Sequence, residues 1–425
     1  MISLPSLPRL RRVAPSMPGI ADLPAEIRST LEKAKLDPAR LAKRRSAVTV
    51  GSRGIASLQP TIRTLCDWLK EKGAQPFVFP AMGSHGGATE EGQRQVLEDY
   101  GITEASMGVP VRSSMKTAEI GTTPEGFKVH MDRLAHEADG VFVFNRIKPH
   151  TNFSGRIESG WLKIMAVGMG KENGAIVVHR GAKLQGYESA IRSMGRVVLD
   201  SGRIVGALGV LENEDHEVAA VRAAPPDRLV AVEEEAQEVA KRLYARLPFS
   251  RIGLLIVDEL GKDISGAGMD CKVIGRNVPF DPALMPEINL IYVRDLTPAS
   301  EGNGVGVGLA DLMHEQLYRK LDLRKVYINA QTALDPAGAR LPMHFSSDSQ
   351  AIEFALGAMG SIDIERESIV WIRNTLMLQE MLVSPAILPE LDPKAGYQEI
   401  PSPFPPLFGN GGDLNAPWNG GRPTA

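Results

Sequence analysis

The stretch SAVTVGSRGIASLQPTIRTLCDWLKEKGAQPFVF, residues 46–79, decides the fold class. Two short apolar runs, Ser46–Val50 and Phe77–Phe79, flank an amphipathic segment, Gln59–Lys72, long enough for a helix. Strand, helix, strand in that order is the crossover of a parallel sheet. The alternation continues outward. Glu90–Tyr100 and Met131–Ala138 read as helices and Val141–Phe144 as a third strand. Arg203–Leu211 and Glu217–Arg222 read as a hairpin pair. Pro226–Leu247 has the acidic start and basic end of a capped helix. At Ser250 the pattern restarts, with strands expected at Ile252–Val257, Asn289–Val293 and Lys325–Ile328 and helices near Leu309–Leu321 and Ser349–Met359. The expected fold is α/β: two α/β domains with mostly parallel sheets enclosing an interdomain cleft. Their expected bounds are residues 1–248 and 249–425, with an irregular tail from about residue 401, where Pro, Gly and Asn accumulate.

Length agrees, since 425 residues exceed what one hydrophobic core usually serves. Composition excludes several function classes. A net charge of −3 without a long Lys/Arg block argues against nucleic acid as the main partner. Two cysteines, Cys66 and Cys271, are too few for a disulfide framework or a Cys-rich metal site. Met1–Leu23 is interrupted by prolines and has no signal-type apolar core, and no apolar run reaches 18 residues. A cytoplasmic enzyme is the expectation.

Four expected strands run into unusual loops: Gly51-Ser52-Arg53-Gly54, Pro80–Gly87, Asn145–His150 and Asp258–Asp263. Ligands of open α/β sheets bind beyond the carboxyl ends of the strands, so Arg53, His85, His150 and Lys262 are expected to face one cleft. One such histidine alone could equally be a loop residue bonded to a backbone carbonyl. Lys148 and Lys171 read as solvated or paired with carboxylates. His130, His136, His216, His314 and His344 have no motif around them and read as structural or exposed. The string Gly302–Gly308 (GNGVGVG) is a weak phosphate signal, lacking both the Walker lysine and the Rossmann spacing.

The segment HTNFSGRIESGWLKIMAVGMGKENGAIVVH, residues 150–179, carries the chemistry. Lys163 lies between Trp161-Leu162 and Ile164-Met165, which suggests a desolvated amine suited to covalent attachment. His179, after Ile176-Val177-Val178, offers a lone imidazole to a soft or borderline metal. The plain alternative is a structural Lys163 paired with Glu158.

At these residues the chain resembles the lactate racemase family of nickel-pincer-nucleotide enzymes. The matching stretches are Gly51-Ser52-Arg53, Gly83-Ser84-His85, Lys148-Pro149-His150, Ser159–Lys163, His179 and Gly261-Lys262-Asp263, in the family's order. The resemblance implies two α/β domains around a pyridinium mononucleotide with two sulfur-bearing arms, one joined to a lysine as a thioamide. Nickel is held there by two sulfurs, a ring carbon and one histidine. It puts Lys163 at the covalent position, His179 at the nickel ligand, His85 and His150 at the paired general bases, and Arg53 and Lys262 at the substrate. A small 2-hydroxy acid is the implied substrate, and cofactor-biosynthesis proteins are implied partners. Val50-Gly51-Ser52 stands where the family usually has an Asp-x-Thr-type run before the arginine, and Gly-Trp-Leu-Lys replaces a Gly-Gly-Arg-Lys type sequence. The chain therefore reads as a divergent member whose substrate has changed. Two other classes stay open on sequence: a three-histidine zinc hydrolase or lyase using His85, His150 and His179, and a non-catalytic small-molecule binding protein. The hydroxy acid and the oligomeric state are left open.

Overall fold

The computed structural model describes residues 6–42, 44–51, 54–151, 153–282, 284–332, 336–361, 363–401, 408–409, 411–415 and 418. The chain forms two compact units, one of Met17–Tyr244 and the other of Met1–Ser16 with Ala245–Thr424. Both are mixed α/β with mostly parallel strand pairing.

In the Met17–Tyr244 unit a five-stranded sheet runs in the order Gln75–Pro80, Arg45–Val50, Gly140–Arg146, Ile204–Glu212, Val218–Ala224. The first four strands are parallel, and the last closes an antiparallel pair with its neighbour. Alternate side chains divide between two cores, as the pleat requires. Ala47, Phe77, Phe79, Val141 and Val143 pack with Trp161, Met165, Ile191, Met194 and Ala236. Val48, Val50, Val78, Phe142 and Phe144 pack with Ile27, Leu31, Ile62, Leu65 and Trp68. Helices thus cover both faces, which is why these strands read as continuous apolar runs.

The other unit carries an eight-stranded sheet in the order Met343–Phe345, Leu312–His314, Glu287–Leu296, Arg251–Leu260, Ile369–Ile372, Glu380–Val383, Arg9–Arg12, Tyr397–Ile400. The first five are parallel and the rest antiparallel.

Several expectations are corrected here. The first sixteen residues do not belong with the N-terminal half, because Arg9–Arg12 pairs on both sides with Glu380–Val383 and Tyr397–Ile400. Lys325–Ile328 is not a strand but lies in the helix Leu323–Thr332, where buried Val326 and Ala330 stand one turn apart. Leu309–Leu321 is not one helix: it holds the strand Leu312–His314 and the helix Glu315–Lys320. The glycine string is a packing device, since a Cβ at Gly306 (φ 96°) would lie 1.8 Å from the Ala267 carbonyl oxygen. Part of the expected irregular tail is docked: Leu414 donates to Asp348 at 2.7 Å and accepts from Arg294 at 2.7 Å, and the Trp418 indole donates to Asp258. Among the described residues no helix is long and apolar enough to cross a membrane.

Candidate active site

The parallel strands Arg45–Val50, Gln75–Pro80 and Gly140–Arg146 end on one edge of their sheet, and the strand order switches at Arg45–Val50. This is where an open α/β sheet leaves a crevice. Asn145, buried at the end of its strand, donates to the Gly160 carbonyl at 2.9 Å. A Cβ at Gly51, across the switch, would sit 3.6 Å from Asn145 Oδ1 and 3.8 Å from Ile164 Cδ1. The segment bearing Lys163 therefore lies over the switch point.

His85 follows Gln75–Pro80 on a loop bound to the same segment. Gly83 N–H donates to the Gly168 carbonyl at 3.1 Å, and Gln93 Nε2 donates to the carbonyls of Gly83 (2.8 Å) and His85 (3.2 Å). Lys171, fully buried, donates to Gln93 Oε1 at 2.7 Å and the Pro80 carbonyl at 2.5 Å, and pairs with Asp132 at 3.0 Å. Its carboxylate partner was expected; its role as the brace of the His85 loop was not. The His85 side chain itself is exposed.

Between His150 and Trp161 the backbone has no regular ladder, so its N–H groups need other acceptors. Three carboxylates supply them. Glu158 accepts from His150 N (2.7 Å) and Gly155 N (3.2 Å), and Glu188 from Arg156 N and Ile157 N (both 3.2 Å). Glu233 accepts from Leu162 N (2.9 Å) at the start of the turn Trp161–Lys163. Close approach explains two glycines: a Cβ at Gly155 would lie 2.2 Å from Glu188 Oε2, and one at Gly160 would lie 2.2 Å from Glu233 Oε1. Glu158 thus shapes the His150 loop.

Glu233 is fully buried, and burial pushes its carboxyl up to about 8 from 4.5, against the opposing pull of the Leu162 N–H and the Arg192 charge. An acid with a raised folded-state pKa is stabilising while protonated, and that contribution falls as pH climbs from the unfolded to the folded value. Stability should therefore decline between about pH 4.5 and about pH 8, with a limiting slope of about 1.4 kcal/mol per pH unit from this one group. In Glu233→Gln, which cannot ionise, denaturant titrations should show a shallower decline over that range. An unchanged slope would mean that Glu233 does not gain a proton on folding.

Lys163 ends the turn Trp161–Lys163 and leads into the π-helical turn Ile164–Gly168. Trp161, Leu162, Ile164 and Met165 are buried, but Lys163 is half-buried, because the turn aims its neighbours at the core and Lys163 aside. His179 is half-buried on the helix Lys171–Gln185. Burial first, then the charges of Lys163 and Lys183, hold its imidazole below the usual pKa, keeping it neutral at neutral pH. Its Nδ1 lies 3.2 Å from the Tyr187 hydroxyl. The Tyr187 ring stacks on Phe153 at 5.1 Å, and Phe153 on His150 at 4.5 Å.

The structure thus links His150 to His179 through Phe153 and Tyr187, and ties the His85 loop to the segment that bears Lys163. Arg53 lies outside the described residues. Lys262 stands in the other unit, its Nζ donating to the Gly266 carbonyl at 2.6 Å and its N–H to Ser300 Oγ at 2.9 Å. His85, His150 and His179 do not converge on a common metal-sized centre, which removes the geometric basis of a three-histidine zinc site. His314, Asp348 and Asp413 do approach one another. However, His314 Nδ1 accepts the Gln316 N–H (3.0 Å), so Nε2 carries the proton toward Asp413 (3.2 Å). Tyr292, Arg294 and the Leu414 N–H occupy Asp348. This cluster is a closed hydrogen-bond network anchoring the tail.

A half-buried lysine and a half-buried imidazole of lowered pKa thus lie on the segments that follow the switch point of a sheet covered on both faces, in an α/β fold. Residues 16–186 match the family model described as the lactate racemase N-terminal domain. The likeness to the lactate racemase family is thus carried by this domain, 171 of the 425 residues. Among solved structures, the chain is similar to the lactate racemase apoprotein from Thermoanaerobacterium thermosaccharolyticum. The identity is 16%, covering 67% of this chain and 69% of that one, with a TM-score of 0.47. Comparison with curated proteins gives no match.

Proposed function

We propose that this chain is a racemase or epimerase of a 2-hydroxy acid that works with a nickel-pincer nucleotide. The observation that supports this reading is the match of residues 16–186 to the lactate racemase N-terminal domain, a stretch that holds Lys163 and His179 sixteen residues apart in sequence. The donor set fits such a group. The Cys66 thiol is buried and pushed up to about 12, so it does not offer a thiolate. One neutral imidazole and one amine suit a metal whose sulfur ligands arrive with a covalently held cofactor.

Lys163 would hold the nucleotide through a thioamide and His179 would ligate the nickel. When bound, the group would supply a carbon that reversibly accepts the substrate's α-hydride, so that the substrate passes through its planar 2-keto acid. His85 and His150 serve as the paired bases: one takes the hydroxyl proton as the acid is oxidised, the other returns a proton to the ketone oxygen after inversion. By the family resemblance, Arg53 and Lys262 would be the residues to hold the carboxylate and the oxygen at C2 by charge-assisted hydrogen bonds. The partners in this scheme are the hydroxy acid and the proteins that build the nucleotide.

The test is epimerisation in deuterated water, using chain produced together with those biosynthetic proteins and a panel of 2-hydroxy acids that includes sugar acids. The product should keep its original α-hydrogen, because hydride returns to the molecule it left. Extensive deuterium at the α-carbon would instead show proton abstraction and overturn the scheme.

A further inference from the structure

Tyr187 is not among the site residues legible in the sequence, yet it bonds one of them and reaches a second through Phe153. It opens the helix Tyr187–Asp200, directly after Gly186, whose φ of 83° turns the chain back sharply at the end of the preceding helix. The turn sets the Tyr187 hydroxyl 3.2 Å from His179 Nδ1, with the two rings edge to face at 5.9 Å and 89°. The other side of the phenol stacks on Phe153 with an interplanar angle of 13°, and Phe153 lies 4.5 Å from the His150 ring at 30°. Phe153 is buried, so the stack has a fixed floor.

We propose that Tyr187 is a positioning residue with two tasks: its hydroxyl accepts Nδ1–H of His179, leaving Nε2 free for the metal, and its ring braces the His150 loop through Phe153. This rests on the function proposed above. The physical basis is general, since a ligating imidazole is oriented by the bond its other nitrogen makes, and loss of such a partner typically weakens metal affinity by about 10–100-fold. Here a single side chain reaches both the ligand and a base. Its two tasks separate chemically, one belonging to the oxygen and the other to the ring.

Tyr187→Phe removes the oxygen and keeps the stack; Tyr187→Leu removes both. Nitrogen-15 NMR of histidine-labelled protein without cofactor reads the His179 tautomer directly. Nickel content after timed exposure of cofactor-loaded protein to a chelator reads metal retention without any assay of turnover. Tyr187→Phe should shift the His179 tautomer balance and speed nickel loss about 10–100-fold, while His150 resonances stay in place. Tyr187→Leu should also move the His150 resonances. An unchanged His179 signature in Tyr187→Phe overturns the proposal, and so does an altered tautomer with unaltered nickel retention. A wild-type chain that takes up neither nucleotide nor nickel overturns the proposed function and the metal task with it. The tautomer comparison still reports on the Tyr187–His179 bond in that case, so the two failures are told apart.

Discussion

Lys163→Ala protein, made alongside the biosynthetic proteins, should carry no covalent adduct and show no measurable racemisation. Peptide mass mapping of the wild-type chain should find the added mass on the peptide containing Lys163. Lys163→Arg should fail as completely, because a guanidinium stays protonated at any working pH and cannot act as a nucleophile. The variants should remain folded. Lys163 is half-buried at the edge of the core, and the turn that bears it is held by Glu233 through Leu162 N–H, a bond to the backbone that the substitution leaves intact. Unmodified Lys163 in fully active protein would remove the covalent assignment.

His85→Ala and His150→Gln should each lower racemisation by about 10²–10⁴-fold, the range for loss of one general acid–base group. Both directions should fall together, because the residue that takes the proton from one enantiomer must deliver it when the other reacts. The two positions differ structurally. The His85 side chain is exposed, and its loop is held by Gln93 through the backbone carbonyls of Gly83 and His85, so alanine leaves that brace in place. The His150 ring packs on Phe153, and glutamine retains more of that volume than alanine would. Near-normal turnover in both directions by either variant, measured from each enantiomer, would contradict the pairing.

Much of the Met17–Tyr244 unit could be read from the sequence because its strands are covered on both faces. Ser46–Val50 and Gly140–Asn145 are buried at every position and carry apolar side chains at most of them, and the loops after them are rich in polar residues. Carboxylates that act at long range gave no such signal. Glu188 and Glu233 lie on helices well after the loop they hold, and a buried glutamate on an amphipathic helix resembles any other acidic residue until the fold is known. Tyr187 was hidden for the same reason. The Arg9–Arg12 strand was missed because four residues between prolines show no periodicity, and its partners lie more than 360 residues away. Lys325–Ile328 was misread because a short run with two β-branched residues looks like a strand, and only packing of Val326 and Ala330 decides for helix.

The carboxylates around the His150–Lys163 loop also impose an order of events during synthesis. A ribosome that has released residues 16–186 has delivered every residue of the matched family domain, but not the Glu188 and Glu233 carboxylates or the strand Ile204–Glu212 that pairs with Gly140–Arg146. Until the helix Leu229–Leu243 has emerged, Leu162 N–H lacks its acceptor and the turn bearing Lys163 lacks its cap. A nascent chain should therefore lack the ordered turn that presents Lys163 before that helix docks. On the function proposed above, installation of the nucleotide would then be confined to chains whose sheet is already complete, a checkpoint built from backbone N–H groups and the carboxylates that accept them.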